Sequence, residues 1–336
     1  MKTNSLLFLR AVQLAVIASY ELVDKNDKNM LDQKAVDIIN KLLTSNDVKA
    51  KIAIGEGELD AAPMLYQGQT FSHQQEAITI DIAVDPIEGT IPASKNEPGS
   101  ISCIAVAKNN TMLQIPEMYM EKLFLSQDLA VIVDFNKPIE AILLTLLKIK
   151  QNLSCIILNK PRHQKIIKTM CQLGIKVELI NEGDVLGAID VVLKKAYFLY
   201  GIGGAPEGVL MSALAIATNY KMFARFYKMF ARLIRYEQIW PNEKETALRM
   251  KIEQQGLEQK KISYNTIFSE QDLVADKQAM FFAASLTGRT VLKPLQIIEK
   301  EYVVHSFIGY NNIYYQIISK YPITDNIEEL LKQYSK

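Results

Sequence analysis

Ala77-Ile-Thr-Ile-Asp-Ile-Ala-Val-Asp-Pro-Ile-Glu-Gly-Thr90 is the stretch on which the fold turns. From Ala77 to Val84 it alternates and then runs apolar, the pattern of a buried strand, and the run stops at Asp85-Pro86. A strand buried on both faces belongs to a layered sheet. Outward from it, Lys51–Ile54 is an apolar strand running into Gly55-Glu-Gly-Glu58, and Ile101–Ala107 is a third strand. Helices are expected over 5–24, 32–45 and Ile139–Ile149, and from Gln164 onward after a strand at Cys155–Leu158. Lys176–Ile180 and Tyr197–Tyr200 are short strands, the second feeding a loop Gly201-Ile-Gly-Gly-Ala-Pro-Glu-Gly208. Strands alternating with helices place the chain in the α/β class with layered sheets. At 336 residues it exceeds one ordinary core. The loop-like Ser126-Gln-Asp suggests a division into residues 1–130 and 131–336.

Composition narrows the partners. A formal net charge of +1 lacks the basic excess of a large nucleic-acid surface, so no nucleic acid is expected. Cys103, Cys155 and Cys171 are an odd number at unpatterned spacings, which fits neither a disulfide frame nor a zinc site. A reducing, cytoplasmic setting is the expectation. The start of the chain superficially resembles a signal peptide, but Arg10 and Gln13 interrupt its apolar run. Leu6, Leu9, Val12, Val16 and Tyr20 recur at helical spacing, so an amphipathic helix packed on a domain is expected, with no membrane partner. Tyr220-Lys-Met-Phe-Ala-Arg225 recurs as Tyr227-Lys-Met-Phe-Ala-Arg232. Seven residues turn a helix by only ~20° beyond two turns, so a tolerated lengthening of one helix is expected. The sharper alternative makes Lys221, Arg225, Lys228, Arg232 and Arg235 a basic membrane or partner helix.

Three acidic segments carry the chemistry: Asp27–Asp32, Gly55–Asp60 and Asp85–Thr90. Glu56, Glu58 and Asp85 stand just beyond strands, where open α/β sheets place ligands. Carboxylates crowded there repel one another unless hard cations neutralise them, and Mg²⁺ or Mn²⁺ prefers such oxygen donors. Gly89 lets the backbone of Glu88-Gly89-Thr90 approach an anion, and the Thr90 hydroxyl can orient an attacking water.

Taken together, Gly55–Tyr66, Val84–Thr90, Pro116–Lys122, Lys160-Pro-Arg-His163 and Tyr200–Gly208 resemble, in order, the motifs of class II fructose-1,6-bisphosphatases. These belong to the inositol-monophosphatase-like sugar phosphatases, with layered α/β/α/β/α architecture. The resemblance implies Mg²⁺ or Mn²⁺ on Asp32, Glu56, Asp85, Glu88 and Glu207. It implies substrate contacts at Glu88, Gly89, Thr90, Tyr119, Lys160, Pro161, Arg162, Glu182, Gly183, Asp184 and Gly204. Asp85, Glu88 and Thr90 would carry the chemistry. Lys160 and Arg162 would hold the phosphate that is not cleaved, and Glu182 and Asp184 the sugar hydroxyls. The substrate implied is a sugar bisphosphate, fructose 1,6-bisphosphate with sedoheptulose 1,7-bisphosphate as a second, in a homo-oligomer. The glycines at 201–208 do not fit the dinucleotide fingerprint. Departures from the family pattern fall at Ala61, Ile91, Glu182, Ala283–Gly288, Thr290 and Pro294. Two alternatives stand beside this reading: a monophosphatase, against which Lys160 and Arg162 argue, and a weakly active regulatory or scaffold subunit.

Overall fold

A computed structural model describes residues 5–46, 48–56, 64–72, 77–116, 118–218, 227–240, 246–264, 266–289 and 291–334. Glu58, Asp60, Ala61, Thr290 and the first copy of the repeat lie outside them. The described strands are β1 (Ala50–Ile54), β2 (Thr70–Phe71), β3 (Ile80–Glu88), β4 (Ile101–Lys108), β5 (Tyr119–Ser126), β6 (Ser154–Leu158) and β7 (Lys176–Ile180). They continue with β8 (Phe198–Gly204), β9 (Tyr227–Ile234), β10 (Ile267–Ser269), β11 (Met280–Ser285), β12 (Gln296–Ile298), β13 (Glu301–Tyr310) and β14 (Ile313–Pro322). Eight form one sheet in the order β12-β13-β11-β4-β3-β1-β2, with β14 on the other edge of β13, and six form a second, β10-β9-β5-β8-β6-β7.

Five layers result. Outside the first sheet, helices Ser5–Ser19 and Lys28–Ser45 bury Phe8, Leu14, Leu31 and Ile39 against Ile52, Ile82, Val84, Ile104 and Phe282. Between the sheets lie helices Asp184–Val192 and Ala205–Ala217. Their Ile189, Val209 and Leu214 join Ala83, Cys103 and Phe281 of the first sheet to Met120, Phe124 and Leu199 of the second. Helices Ile139–Ile149 and Gln164–Gln172 cover the far face of the second sheet through Leu143, Ile166, Leu125, Cys155 and Phe198. This is the expected α/β/α/β/α order. The outer sheet faces alternate strictly with the inner ones: Ile82 and Val84 face outward while Ala83 faces the middle layer.

The chain is shared between the sheets in a way that departs from a division at residue 130. β5, which precedes it, lies at the centre of the second sheet, and β11 to β14 return to the first. β11 pairs antiparallel with β4 from Ser285↔Ile101 to Met280↔Val106.

Other expectations need correction. The N-terminal helix is buried nearly all round, not amphipathic. Its stretch Ser5–Leu22 is long and apolar enough to cross a membrane, with mean hydropathy 1.4, yet 61% of it is buried inside the fold. Gln13 does not break it, because its amide donates to Ser306 Oγ (2.8 Å) and Ser319 Oγ (2.9 Å) and accepts from the Tyr321 hydroxyl. The second repeat copy is strand β9, not a helix. Met229, Ala231 and Leu233 are buried on one face, a period of two, and Arg232 lies opposite Glu121 on β5 and pairs with it.

Candidate active site

A cleft of about 970 Å³ opens between the two sheets. Glu56 and Asp85 line it from the strands of the first sheet, with Asp32 and Thr90 on helices packed beside them; Tyr119 and Gly204 line it from the second sheet, and Glu207 from helix Ala205–Ala217 between the sheets. Tyr236, Trp240 and Arg249, from the segment after β9, close its far side.

Strand chemistry aims the acids. β3 does not stop at Asp85-Pro86 but continues to Glu88, and its pairing with β4 slips there: Asp85 faces Cys103 and Glu88 faces Ile101. Three steps on β3 match two on β4, a one-residue bulge. In a regular strand residues three apart point to opposite faces; the extra residue brings Asp85 and Glu88 to the same side. Glu88 is buried, and its two oxygens accept from the backbone N–H groups of Val185 (2.6 Å) and Leu186 (3.0 Å), the first turn of helix Asp184–Val192. At the end of β1, Gly55 is required because a Cβ there would meet the Leu65 carbonyl oxygen at 2.0 Å. That contact fixes Glu56, whose N–H donates to the same oxygen at 3.0 Å.

Two turns meet on one carbonyl. Gly89 (φ 79°) precedes helix Thr90–Ser94, and Gly183 (φ 90°) precedes helix Asp184–Val192. A Cβ on either would come within 2.9 or 2.6 Å of the Gly99 oxygen. Both therefore need glycine twice over, for left-handed backbone and for clearance.

β8 runs through Gly201–Gly204, which the sequence suggested as a loop, and helix Ala205–Ala217 starts immediately after it. The glycines make room: a Cβ on Gly203 would lie 2.6 Å from Asp184 Oδ2, and one on Gly204 2.1 Å from Glu207 Oε2. Lys122, wholly buried in the middle of β5, pairs with Asp184 and donates to the Gly204 carbonyl at 2.9 Å.

The remaining predicted contacts flank the cleft. Arg162 Nε donates to the Ile202 carbonyl (2.8 Å), and its guanidinium sits 5.2 Å from the centre of the Tyr119 ring. Burial pushes the Glu182 carboxyl up, while Lys160 and the Ile91 backbone pull it down. That pairing brings the turn after Gly89 against the loop before Gly183. Lys160 and Pro161 open the short turn Pro161–His163 after β6.

His163 locks that turn. Its Nδ1 donates to the Leu158 carbonyl (2.8 Å) and its Nε2 accepts from Ile202 N–H (2.8 Å), so the ring is held neutral. Burial pushes its pKa down to about 4 from an ordinary 6.5. The unfolded chain thus binds more protons between these values, and stability present above pH ~6.5 is lost as pH falls toward 4. By pH 5 the loss should reach roughly 2 kcal/mol. Denaturation midpoints of wild type and His163→Gln should therefore converge between pH 7 and 5; a constant gap would remove His163 as the cause.

The acid cluster is oxygen-rich and poorly neutralised. Asp85 is pushed well above the carboxylate range, first by burial and then by Glu88, Glu207, Asp32 and Glu56. Glu88 is raised by burial and by Asp184; Glu207 is raised by burial, which Lys122 partly offsets. All five expected ligands thus share one field. Among the described residues no three such groups already converge on a single point. Mg²⁺ or Mn²⁺ does not need this, since one or two carboxylates, water and phosphate oxygens can complete such a shell. An all-oxygen donor set with surplus negative charge fits a hard divalent cation.

The family model described as bacterial fructose-1,6-bisphosphatase, glpX-encoded, matches residues 2–318. This chain belongs to that family. It is 36% identical over 292 residues to the class 2 fructose-1,6-bisphosphatase of Haemophilus influenzae, covering 85% of each chain. It is 37% identical over 224 residues to fructose-1,6-bisphosphatase 1 class 2 of Escherichia coli, covering 65% of this chain and 66% of the relative. A Trichodesmium erythraeum relative, 30% identical over 302 residues and covered over 85% of this chain and 86% of its own, is named a D-fructose 1,6-bisphosphatase class 2/sedoheptulose 1,7-bisphosphatase.

Within this family member, the departures at 283–288 support the site from behind. Leu286, Thr287 and Gly288 N–H groups point to the Ser100 carbonyl, and Thr287 Oγ1 accepts from Ser100 N–H (3.1 Å). Ser100 adjoins the Gly99 carbonyl under both glycine turns. Ile91 is exposed, in the first turn after Gly89, and Pro294 is exposed beyond the 285–292 turn. Sequence reasoning assigned no role to Lys122 or to Trp240. The signal for Lys122 was a cation beside Glu121 in a strand whose other central residues are apolar, opposite Gly201 of β8. Trp240 carried no signal.

Proposed function

We propose that this chain hydrolyses the 1-phosphate of fructose 1,6-bisphosphate, giving fructose 6-phosphate and phosphate, with Mg²⁺ or Mn²⁺ as cofactor. The observation that carries the reading is the field of four other acids, Glu88, Glu207, Asp32 and Glu56, on Asp85, with Thr90 on the same cleft wall. Asp32, Glu56, Asp85, Glu88 and Glu207 would hold the cations. A bound divalent ion supplies Lewis-acid charge at the phosphoryl group and lowers the pKa of water. The chain's own residues do the rest. Thr90 orients the attacking water, and the backbone of Glu88-Gly89-Thr90 faces the reacting phosphate. Arg162 and Lys160 receive the distal phosphate, and Tyr119 donates to it from its phenol. Glu182 and Asp184 accept from sugar hydroxyls, with Asp184 oriented by Lys122 and Gly204 brought close by its missing side chain.

Sedoheptulose 1,7-bisphosphate is a second substrate under this reading, favoured by the name of the Trichodesmium relative. Phosphate release from a panel of sugar mono- and bisphosphates, with Mg²⁺ or Mn²⁺ and after EDTA, tests it. Bisphosphates should turn over best, chelation should abolish turnover and either ion should restore it. Full activity after rigorous chelation would sink the cation, and preference for a monophosphate would sink the bisphosphate.

A further inference from the structure

The far wall of the cleft holds the only tryptophan of the chain, and its indole Nε1 lies 3.2 Å from the Tyr119 hydroxyl. An indole N–H donates and never accepts, so in this contact the phenol oxygen is the acceptor. The phenol carries one proton and must turn it away from Trp240. Among the described residues it donates to no protein acceptor. The ring itself cannot swing freely: the Arg162 guanidinium lies 5.2 Å from its centre, and the Tyr236 ring packs at 6.3 Å and 38°. Trp240 is anchored too. Its backbone N–H donates to the Tyr236 carbonyl (2.9 Å), its own carbonyl accepts from Thr246 Oγ1 (2.9 Å), and the Tyr236 backbone N–H donates to Glu253 Oε2 (3.1 Å).

We propose that Trp240 is a positioning residue that keeps the Tyr119 proton available to the distal phosphate of a sugar bisphosphate. A phenol serves an anion only as a donor; if its proton were engaged elsewhere, its lone pairs would face the phosphate and repel it. Donation from Trp240 occupies one lone pair and leaves the O–H free to be donated, and adjacent hydrogen bonds in such a chain strengthen one another. The segment after β9 thereby acts on substrate affinity without touching the reacting phosphate. This rests on the reading that Tyr119 contacts the distal phosphate.

Trp240→Phe keeps an aromatic ring and removes the donor. It should raise KM for fructose 1,6-bisphosphate about three- to tenfold, the range of one neutral hydrogen bond. Its kcat should stay within about twofold, and KM for an aryl monophosphate, which has no distal phosphate, should not move. In a Tyr119→Phe background the same substitution should add nothing, because the group it acts through is gone. An unchanged KM in Trp240→Phe overturns the proposal, and so does an equal rise on the aryl monophosphate or in the Tyr119→Phe background. If Tyr119→Phe itself keeps the wild-type KM while Trp240→Phe raises it, the reading of Tyr119 fails, and the role assigned to Trp240 falls with it.

Discussion

Asp85→Asn should lower phosphate release by about 10³-fold or more, on the scale of several kcal/mol of Lewis-acid stabilisation, while raising the melting temperature measured in EDTA. The two halves of this result come from one arrangement. Asp85 is half-buried at the bulge of β3, where partial desolvation and the charges of Glu88, Glu207, Asp32 and Glu56 all disfavour its ionised form, so its charge is a burden on the cation-free fold. Asn removes that charge at nearly equal volume and relieves the repulsion. It also removes a ligand from the centre of the cluster, so Mn²⁺ should raise the melting temperature of the variant less than that of wild type. A substitution that merely damages the fold predicts the reverse, a lower melting temperature in EDTA. Wild-type turnover in Asp85→Asn would remove the carboxylate from the mechanism.

Thr90→Ala should lower kcat by ~10²–10⁴, the usual contribution of a positioned proton-transfer or orienting group, with KM and metal affinity near normal. Thr90 is the first residue of the short helix after Gly89, half-buried on the cleft wall beside Asp85. Among the described residues its hydroxyl makes no hydrogen bond to protein, so the fold has no use for it that alanine would forfeit. Thr90→Ser keeps the hydroxyl and should keep much of the rate. A residue that only shapes the turn would behave otherwise: both substitutions would lower the melting temperature and leave kcat alone. Turnover of Thr90→Ala at the wild-type rate would assign activation of the water to the cation and carboxylates without Thr90.

How much of this was readable beforehand depends on the range of the deciding contacts. The end of β1 and the place of Asp85 on a buried strand were legible because an apolar run leading into Gly55-Glu56 or Asp85 is a local signal, although β3 runs on to Glu88. Asp32 and Glu207 carried no such signal; they reach the cluster only through the packing of helices 28–45 and 205–217 around the sheets, and the family resemblance supplied them. Gly201–Gly204 resembled a loop because glycine disfavours strands. Here the clearance needed by Asp184 and Glu207 outweighs that preference, and pairing with β5 makes the strand. The second Tyr-Lys-Met-Phe-Ala-Arg copy has strong helix formers, yet the Arg232–Glu121 pair and two flanking strands turn it into β9. The bulge at Asp85–Glu88 is set by β4 and could not be seen from β3 alone.

The pairing of β4 with β11 also bears on how the polypeptide is made. β4 ends at Lys108 and its neighbour begins at Met280, so a ribosome adds roughly 170 residues between them, about 9–34 s of synthesis at 5–20 residues per second. Through that interval the nascent first sheet has one edge of β4 without its hydrogen-bonding neighbour, and such an edge can template pairing with another chain. The six strands of the second sheet, by contrast, all emerge before Met280. The layer that carries Asp85 is thus the last to close.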